Sequence, residues 1–450
     1  MNTVKSEEVA TSERTGDTGT AGDTANSANT EYERALVGEL ETALRTLPRL
    51  LHVVTGPRQV GKTTAVRQLG RRFSGRFRYV SADALLPPGP EWLETHWRLA
   101  LADATGGITG GADGNAAASA AAPVLLVFDE VQKVRGWSET IKRLWDDLLA
   151  REPVPPLHVV LLGSSALLVQ HGVTETLAGR FFLHRCLHWT WSECRAAFGW
   201  DLETWLFFGG YPGAAPLAGN EQLWRQYVSD SLIETVLARD VFMLAPVAKP
   251  ALLRHLYGLA ATHPAQILSY TKMLGQLQDA GNTTTLANYL HLLGAAFLVS
   301  GLEQYSGGQH RRRGSSPKLI FWNNALINAA SGLTRAETGR DGAWRGRIVE
   351  NAVGAHLLNH LHGAEWSLAY WREGDAEADF VVRRGARVWA IEVKSGRPRA
   401  AGGGARRLTG LEAFRKKFPD AGALLVGTGG DSAGGIELEE FFGRDPRDFF

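Results

Sequence analysis

The sequence predicts an α/β protein, and three observations carry that prediction. Up to about residue 195, strand-like apolar runs alternate with helical stretches; the runs are "LLHVVTG", "FRYVSAD", "PVLLVFDE" and "LHVVLLGSS". Such alternation is typical of a parallel sheet with helices on both faces. A mainly helical region follows, and from about Lys318 strand-like and helical runs mix again. The last part is therefore predicted to be a second, C-terminal α/β domain.

Composition bounds the class of protein. The 450 residues are 44% hydrophobic and 21% charged, which is typical of a globular chain of several domains. The formal net charge of +1 argues neither for nor against nucleic acid. Cys186 and Cys194 are the only cysteines and have no zinc or disulfide spacing. Without a membrane-length apolar run or a signal-peptide core, the chain is predicted to be cytoplasmic.

Changes in composition and periodicity predict five segments. The first is rich in Ser, Thr, Gly, Asp, Ala and Asn, which is typical of disorder. A Gly/Ala-rich stretch inside the second is typical of a flexible surface insertion. The predicted segments are a disordered tail (1–30), an α/β domain (31–195, with the insertion at 103–122), a helical lid or linker (196–250), a winged-helix-like domain (251–310) and a C-terminal α/β domain (311–450).

A glycine-rich motif follows the first predicted strand. "VVTGPRQVGKTT" fits the phosphate-loop pattern G-x-x-x-x-G-K-[ST], and a helical stretch follows it. The glycines let backbone N–H groups approach phosphate oxygens, and the helix N-terminus adds positive potential. Lys62 is expected to reach the β- and γ-phosphates, and the Thr63 hydroxyl is expected to bind magnesium. The predicted nucleotide contacts of this loop are Gly56, Pro57, Arg58, Gln59, Val60, Gly61, Lys62, Thr63 and Thr64.

Acidic and polar residues end the following strands. Asp129 would hold magnesium, directly or through water, and Glu130 would polarise the attacking water. An Asp-Glu pair after a strand can also be a turn, but its order after the phosphate loop favours catalysis. Ser164 or Ser165 could sense the γ-phosphate or orient the water. Arg180 could stabilise transition-state charge, in cis or across a subunit interface, or could pair with a structural carboxylate.

A family resemblance rests on these motifs together. The succession "TGPRQVGKTT", "LLVFDEVQK", "LLGSSALL", "TLAGRFF" and "LHWTWSE" resembles prokaryotic ATP-binding proteins with an AAA-type P-loop domain. In that family a second domain of unknown function follows, and "GGYPGA", "VLARDVF" and "RIVENAVGAHLLN" match it. The resemblance implies a P-loop NTPase fold, ATP rather than GTP as the nucleotide, ATP hydrolysis with Mg²⁺, and a homo-oligomer as one assembly such domains adopt. It implies little about the cellular role.

The middle region predicts a winged-helix-like domain. Between Gln266 and Tyr305 the pattern indicates two helices, a turn, a third helix and a wing strand, "FLVSGLEQY". The third helix has an apolar face formed by Leu286, Leu290, Leu293 and Phe297. This order resembles a winged helix-turn-helix, which places a helix in the DNA major groove. From Thr283 to Phe297 there is no Arg or Lys for phosphates, and the nearest basic cluster is His310 to Arg313. A small helical domain that merely packs on the ATPase stays open as the alternative.

The C-terminal domain contains an acidic constellation. In the strand "VWAIEVKSG", Glu392 and Lys394 are two residues apart and share a face. Asp379 precedes the apolar strand "FVVRRG", and Glu350 lies in a run with helical apolar spacing. The four residues resemble the core of the PD-(D/E)xK nuclease-like superfamily. The resemblance implies that Asp379 and Glu392 bind magnesium, that Glu350 completes or steers the site, and that Lys394 activates water or stabilises the phosphate.

Other interpretations of this constellation remain. Glu392 and Lys394 can belong to a solvent-facing edge strand and pair weakly, or the nuclease fold can be retained without cleavage. A group of arginines would favour a phosphate backbone; they are Arg397, Arg399, Arg406 and Arg407.

Two hypotheses of function follow. The first is a magnesium-dependent ATPase coupled to DNA binding or processing through the nuclease-like domain. The second is a nucleotide-dependent regulatory switch whose C-terminal domain is a non-catalytic interaction module.

Overall fold

The first part of the chain folds around a parallel β-sheet. In the computed structural model the described residues are 32–84, 86–106, 121–164, 176–245, 247–278, 281–307, 316–363, 365–395, 410–427 and 435–450. The five strands are β1 (Leu51–Gly56), β2 (Arg76–Ser81), β3 (Val124–Asp129), β4 (Leu157–Ser164) and β5 (Phe181–Arg185). Their order is β2-β3-β4-β1-β5, and every pairing is parallel. The carboxyl ends of all five strands therefore lie at one edge.

Helices cover both faces of this sheet. They are α1 (Ala35–Thr46), α2 (Lys62–Arg72), α3 (Pro90–Thr105) and α4 (Trp137–Leu149). One core joins Val54 and Val127 to α1 and α2, and the other joins Val53 and Phe128 to α3 and α4. Neighbouring strand residues enter opposite cores because successive side chains of a strand point to opposite faces. The strands β1 and β3 are buried throughout, which explains their continuous apolar sequence. The predicted α/β class is confirmed.

The predicted insertion begins too early in the sequence. Helix α3 continues to Thr105, and Asp103 is only 1% exposed. Its carboxylate pairs with Arg76 at 2.7 Å and also with Arg78, both on β2. A buried carboxylate with two arginine partners belongs to the packed domain, so residues 103–105 are not part of a surface insertion. Residues 107–120 lie outside the described part of the chain.

A run of helices follows the parallel sheet. The helices are α5 (Trp191–Phe198), α6 (Leu202–Phe208), α7 (Glu221–Gln226), α8 (Val241–Leu244), α9 (Pro250–Thr262), α10 (Tyr270–Gln276) and α11 (Thr283–Ala295). Between α7 and α8 the backbone forms a wider π-helix over Tyr227–Glu234 and Val236–Asp240. The helix α11 begins where the Asn-Thr-Thr-Thr run stands, and Asn282 caps it by accepting a hydrogen bond from the Thr285 N–H at 2.8 Å.

A two-stranded hairpin closes this helical region. Strands β6 (Val299–Leu302) and β7 (Lys318–Phe321) pair antiparallel, and Ile267 makes a single bridge to Lys318. Strand β6 lies before residue 310 and β7 lies after it. The hairpin therefore crosses the predicted boundary between the winged-helix-like domain and the C-terminal domain.

The C-terminal domain has a second five-stranded sheet. Its strands are β8 (Trp366–Glu373), β9 (Ala376–Arg384), β10 (Arg387–Lys394), β11 (Gly422–Gly427) and β12 (Gly435–Ile436). The helices of this part are α12 (Asn324–Ser331), α13 (Arg335–Arg340), α14 (Gly342–His360), α15 (Gly410–Lys417) and α16 (Leu438–Gly443). The order is β12-β11-β10-β9-β8, with β8, β9 and β10 antiparallel and β10, β11 and β12 parallel. The predicted hairpin turn "RRGAR" joins β9 to β10 and contains Gly385 at φ +58°.

Short 3₁₀ turns connect some of these elements, at Val131–Lys133, Ala215–Leu217 and Pro446–Phe449. Within the described ranges, none of the helices combines the length and the apolar character that crossing a membrane requires.

Candidate functional site

The predicted phosphate loop connects the end of β1 to the start of α2. Gly56 ends the strand, and a Cβ on it would lie 1.8 Å from the carbonyl oxygen of Cys186, so only glycine fits there. Gly61 has φ +91°, in the left-handed region that glycine adopts without strain. The two glycines of the motif are thus needed for the shape of the loop. The backbone N–H groups at the start of α2 have no partner within the helix, which suits an anion.

The ammonium of Lys62 lies inside this loop. Its Nζ donates to the carbonyl oxygens of Gly56 at 2.9 Å and Pro57 at 2.6 Å. Burial lowers the pKa of Lys62. A buried positive charge that is bonded to carbonyl oxygens gains strongly from an anion placed in the same loop. The contact of Lys62 with phosphate stays a prediction.

Thr63 and Asp129 come together at the same sheet edge. The Thr63 hydroxyl lies 3.0 Å from Oδ2 of Asp129, which is 8% exposed. The two side chains offer the hard oxygen ligands that magnesium prefers, so they fit the ion that a P-loop ATPase employs.

Tyr79 on β2 is a third member of this site that sequence reasoning missed. Its hydroxyl donates to the same Asp129 oxygen that Thr63 contacts. Burial and the bond to Asp129 raise the pKa of Tyr79 to about 12. The tyrosine therefore stays a hydrogen-bond donor to Asp129 across the physiological pH range.

Glu130 follows Asp129 in a backbone conformation that is rare for residues other than glycine. Its φ is +53°, and its N–H donates to Oδ1 of Asp129 at 2.9 Å. The Glu130 carboxylate accepts a hydrogen bond from Nε2 of Gln132 at 2.6 Å. Strained residues of this kind cluster at functional sites because the surrounding structure holds them. Gln132, in "DEVQK", was not predicted and orients the carboxylate.

Two loop residues predicted to bind nucleotide contact the π-helix instead. Arg58 makes two parallel hydrogen bonds to Asp240, at 2.6 and 2.7 Å. Gln59 accepts a hydrogen bond from the Tyr227 hydroxyl at 2.5 Å. Their nucleotide contacts stay predictions; the contacts seen join the phosphate loop to the helical region behind it.

The back of the loop is held through the carbonyl of Val60. It accepts hydrogen bonds from Arg34 at 3.1 Å and from the indole of Trp189 at 2.9 Å. Arg34 also pairs with Glu193 at 2.7 Å. Sequence reasoning missed Arg34, and it precedes the first strand without belonging to any motif.

Ser164 and Arg180 lie at different edges of the sheet. Ser164 pairs with Gly56 in the register of β1 and β4, so its backbone is next to the loop; its side chain is outside the described part. The Arg180 carbonyl accepts from the N–H of Leu51, the first residue of β1. At about 3.3 Å per residue, that position lies about 16 Å from Gly56.

This placement corrects the prediction that Arg180 acts in cis. Its guanidinium pairs with Asp146 on α4 at 2.7 and 3.0 Å, at the sheet edge opposite the phosphate loop. Asp146 is thus a structural carboxylate partner of Arg180, which was the alternative role predicted for this arginine. A role in a neighbouring subunit stays a prediction.

The C-terminal constellation is only partly assembled as predicted. Glu350 on α14 and Asp379 on β9 lie together, and Glu377, which was not predicted, joins them. Carboxylate oxygens of the three residues lie within 4.8 Å of one another. We call Glu350, Glu377 and Asp379 the acidic cluster.

A buried lysine that sequence reasoning missed lies among these carboxylates. Nζ of Lys318 is 2.5 Å from Glu350, 3.2 Å from Glu377 and 3.4 Å from Asp379, and its side chain is 0% exposed. Burial by itself lowers the pKa of Lys318, but the three carboxylates raise it above its usual value, so the lysine stays charged. Burial raises the pKa of Glu350 to about 7. As a set of ligands, the acidic cluster therefore does not fit magnesium while Lys318 is in place.

Glu392 and Lys394 form a separate pair. They lie 2.5 Å apart, with Glu392 8% exposed as a residue and the Lys394 side chain 58% exposed. Asp379 and Glu392 are the next residues beyond the paired Phe380 and Ile391, yet Glu392 is not part of the acidic cluster. Oδ2 of Asp379 instead accepts from a backbone N–H of β10 at 2.7 Å. The four predicted residues are thus neighbours in the fold, but they divide into two ion-paired groups.

Two basic segments carry the arginines that were predicted to favour phosphates. The segments His310 to Arg313 and Arg397 to Arg407 lie outside the described part of the chain.

Comparisons with known proteins divide the chain into three parts. Residues 49–194 match the family described as AAA domain. Residues 199–337 match a domain of unknown function (DUF8612), and residues 345–437 match another (DUF4143).

Relatives resemble most of the chain at low identity. An uncharacterized protein of Mycobacterium tuberculosis is 27% identical over 381 residues, which are 82% of this chain and 76% of that protein. An uncharacterized protein of Methanocaldococcus jannaschii is 20% identical over 372 residues, 78% of this chain and 76% of that protein.

Solved structures show a partial likeness. A Walker-type ATPase of Pyrococcus abyssi has a TM-score of 0.44 at 14% identity, covering 66% of this chain and 94% of that one. The RuvB Holliday junction branch migration motor of Thermotoga maritima has a TM-score of 0.29 at 13% identity, covering 59% and 87%. Residues 49–194 thus match an AAA-domain family, and matches to two domains of unknown function follow them.

Proposed function

We propose that this protein is a magnesium-dependent ATPase that hydrolyses ATP at the edge of the parallel sheet. The observation that carries the proposal is the 3.0 Å contact between the Thr63 hydroxyl and Asp129, next to a loop that encloses the Lys62 ammonium. Two motifs that are 66 residues apart in the chain meet there, as phosphoryl transfer to water requires.

Each residue has a defined role in this proposal. Thr63 and Asp129 would hold magnesium, which supplies charge to the phosphate oxygens when bound. Lys62 would leave the loop carbonyls for the β- and γ-phosphates, and the N-terminus of α2 would bind phosphate through its N–H groups. Glu130, held by Gln132, would accept a proton from the attacking water. Gln132 is a positioning residue because it acts through Glu130.

The test compares three variants in a Mg²⁺-dependent phosphate-release assay and a nucleotide-binding assay. Lys62→Ala is expected to lose binding or turnover. Glu130→Gln is expected to keep binding and to lose about 10²-fold or more in turnover, because it removes the base alone. Lys142→Ala, an exposed lysine on α4, is the matched control and is expected to behave as the unsubstituted protein. Unchanged turnover in Glu130→Gln would refute the assigned role of that residue.

We further propose that ATP hydrolysis drives or licenses an action on DNA. The order of α9, α10 and α11 followed by the β6–β7 hairpin supports a winged-helix arrangement. The exposed side chains of α11 include Thr283, Thr284, Asn288 and His291, which can contact bases or phosphates. The test is binding of duplex and single-stranded DNA at several salt concentrations, with and without ATP and Mg²⁺. A DNA affinity that falls as salt rises supports the proposal.

The alternative is a nucleotide-dependent switch with a non-catalytic C-terminal module. Two observations favour it: Lys318 lies among the carboxylates of the acidic cluster, and the phosphate loop contacts the helical region directly through Arg58 and Gln59. Asp379→Ala separates the two, because it abolishes magnesium-dependent nicking only if the domain is a nuclease. No cleavage of any DNA form and no salt-sensitive DNA affinity would establish the switch. A cytoplasmic location and assembly into a homo-oligomer remain parts of the proposal.

A further inference from the structure

The acidic cluster of the C-terminal domain has a counter-charge that comes from outside that sheet. The carboxylates belong to α14 and β9, whereas Lys318 belongs to β7, the second strand of the hairpin. The side chains of Glu350, Glu377 and Asp379 are 22%, 34% and 19% exposed, and that of Lys318 is 0% exposed. The lysine is therefore the most enclosed member of the group, and the carboxylates surround it.

The backbone of Lys318 is fixed on both sides. It pairs with Leu302 of β6 and makes the bridge to Ile267. Its ammonium also lies 5.2 Å from the centre of the Phe380 ring, a contact favourable to a cation. An exposed lysine on a mobile stem samples many positions, but this one is held at its backbone and along its stem.

The distances leave no room for a second cation. Magnesium needs oxygen ligands at about 2.0–2.1 Å, which would put it at the centre of the carboxylates. Nζ of Lys318 is already within 3.4 Å of all three. A metal ion and an ammonium at the same point would repel each other and compete for the same oxygens.

We propose that Lys318 takes the place of a divalent cation in the acidic cluster, so that the C-terminal domain is held together by an internal ammonium and does not cleave nucleic acid by metal-dependent chemistry. The ammonium joins the β6–β7 hairpin to α14 and β9 as one structural unit. Lys394 is paired with Glu392 in the same region, so the lysine that the nuclease resemblance assigns to catalysis is also engaged. This inference concerns the C-terminal domain and is independent of ATP hydrolysis.

The test is a titration of the protein with Mn²⁺, in which the EPR signal of the free ion measures how much Mn²⁺ remains unbound. The protein carries Asp129→Asn, so that the nucleotide edge contributes little binding. In the protein with Lys318 intact, we expect Asp379→Asn to leave Mn²⁺ binding unchanged. Lys318→Met in the same background is expected to gain about one Mn²⁺ site per chain, which the addition of Asp379→Asn then abolishes. Lys416→Met, an exposed lysine on α15, is the matched control and is expected to gain none.

Thermal unfolding gives a second readout and covers failure to fold. Lys318→Met is expected to lower the melting temperature, because three clustered carboxylates lose the ammonium that they share, and Mn²⁺ is expected to restore part of the loss. Adding Glu350→Gln to Lys318→Met removes one charge and is expected to recover stability without Mn²⁺.

Two results would overturn the proposal. One is a Mn²⁺ site in the protein with Lys318 intact that disappears with Asp379→Asn. The other is magnesium-dependent nicking that Asp379→Ala abolishes. Both measurements keep Lys318 in place.

Discussion

Single residues at the nucleotide edge are held by partners that are distant in the sequence. Tyr79 donates to Asp129 from 50 residues away, and Arg34 pairs with Glu193 across 159 residues. Each partner limits the positions that one functional group can adopt, which lowers the entropy lost when a ligand binds. Arg180 shows the opposite case, because its ion pair with Asp146 uses the guanidinium for structure.

We expect Arg180→Ala to keep ATP turnover within about threefold of the unsubstituted protein. Its exposed ion pair with Asp146 lies at the far edge of the sheet, so losing it is expected to change little at the nucleotide site. Turnover measured at low and high protein concentration checks this. A loss of about 10³-fold, restored by mixing with a Glu130→Gln partner, would instead show that Arg180 acts across a subunit interface.

Acid is expected to destabilise the parallel sheet through its buried histidines. His52 and His184 contact each other at 3.1 Å, and burial lowers the pKa of each to about 4. The unfolded chain, with a pKa of about 6.5, binds protons more readily, so stability is complete above pH 6.5 and falls as the pH decreases toward 4. At pH 5 each histidine is expected to lower the free energy of unfolding by about 2 kcal/mol.

Urea unfolding at pH 7 and pH 5 measures this effect. His52→Gln is expected to reduce the difference between the two pH values, whereas His255→Gln, exposed on α9, is the control and is expected to leave it unchanged. If the free energy of unfolding falls by the same amount from pH 7 to pH 5 in both variants, His52 does not carry the pH dependence.

At the scale of elements, the π-helix contacts the phosphate loop. Asp240 is 8% exposed and accepts both hydrogen bonds of Arg58, and Tyr227 contacts Gln59 at the other end of the same segment. Both side chains of this widened helix contact the loop, and π-helical turns recur at functional sites. The segment thus lies outside residues 49–194 and contacts the loop directly.

A double-mutant cycle of Arg58→Ala and Asp240→Asn is expected to give a coupling free energy of about 1–3 kcal/mol, because the pair is bidentate and Asp240 is buried. Both single variants are expected to raise the KM for ATP several-fold, since the loop loses a fixed partner. Urea unfolding and steady-state kinetics measure these quantities. Glu234→Gln is the control: Glu234 lies in the same segment and pairs with Arg254 on α9, and the substitution is expected to change stability by less than about 0.5 kcal/mol. A coupling near zero would contradict the assigned contact.

At the scale of the whole molecule, buried asparagines join the helical region to the C-terminal domain. Asn351 on α14 hydrogen-bonds both the N–H and the C=O of Phe321 on β7, at 2.8 and 3.1 Å, and also contacts Asn324. Asn324 and Asn328 donate to carbonyls at the end of α6. These amides satisfy backbone groups that would otherwise be buried without partners.

Asn351→Ala is therefore expected to reduce the free energy of unfolding by about 2–4 kcal/mol. The substitution leaves the backbone groups of Phe321 unpaired in a site that is 0% exposed. Asn288→Ala, exposed on α11, is the matched control and is expected to change stability by about 0.5 kcal/mol or less. Urea unfolding followed by tryptophan fluorescence measures both. A small effect of Asn351→Ala would mean that water replaces the lost amide.

Much of the nucleotide site was predictable because it depends on short-range patterns. Gly56 to Thr63 occupy consecutive positions, and Asp129 ends a strand, so the rule that parallel strands share a carboxyl edge predicts that they meet. The C-terminal cluster was less predictable. Glu350 and Asp379 were found through a resemblance. Glu377 is two residues before Asp379 on β9 and so shares its face, a signal that could have found it, whereas Lys318 lies in a strand without a motif.

The sequence by itself determined the α/β class, the phosphate loop, the acidic strand end and the hairpin turn, since each depends on residues close together in the chain. Only the tertiary structure decided which side chains contact the functional groups. Tyr79 contacts Asp129, Asp240 contacts Arg58, Asp146 contacts Arg180, and Lys318 contacts the acidic cluster. The physical reason is that an ion pair or hydrogen bond depends on distance in space, and packing sets that distance. Residues that are 182 positions apart in the chain, as Arg58 and Asp240 are, leave no periodic trace in the sequence.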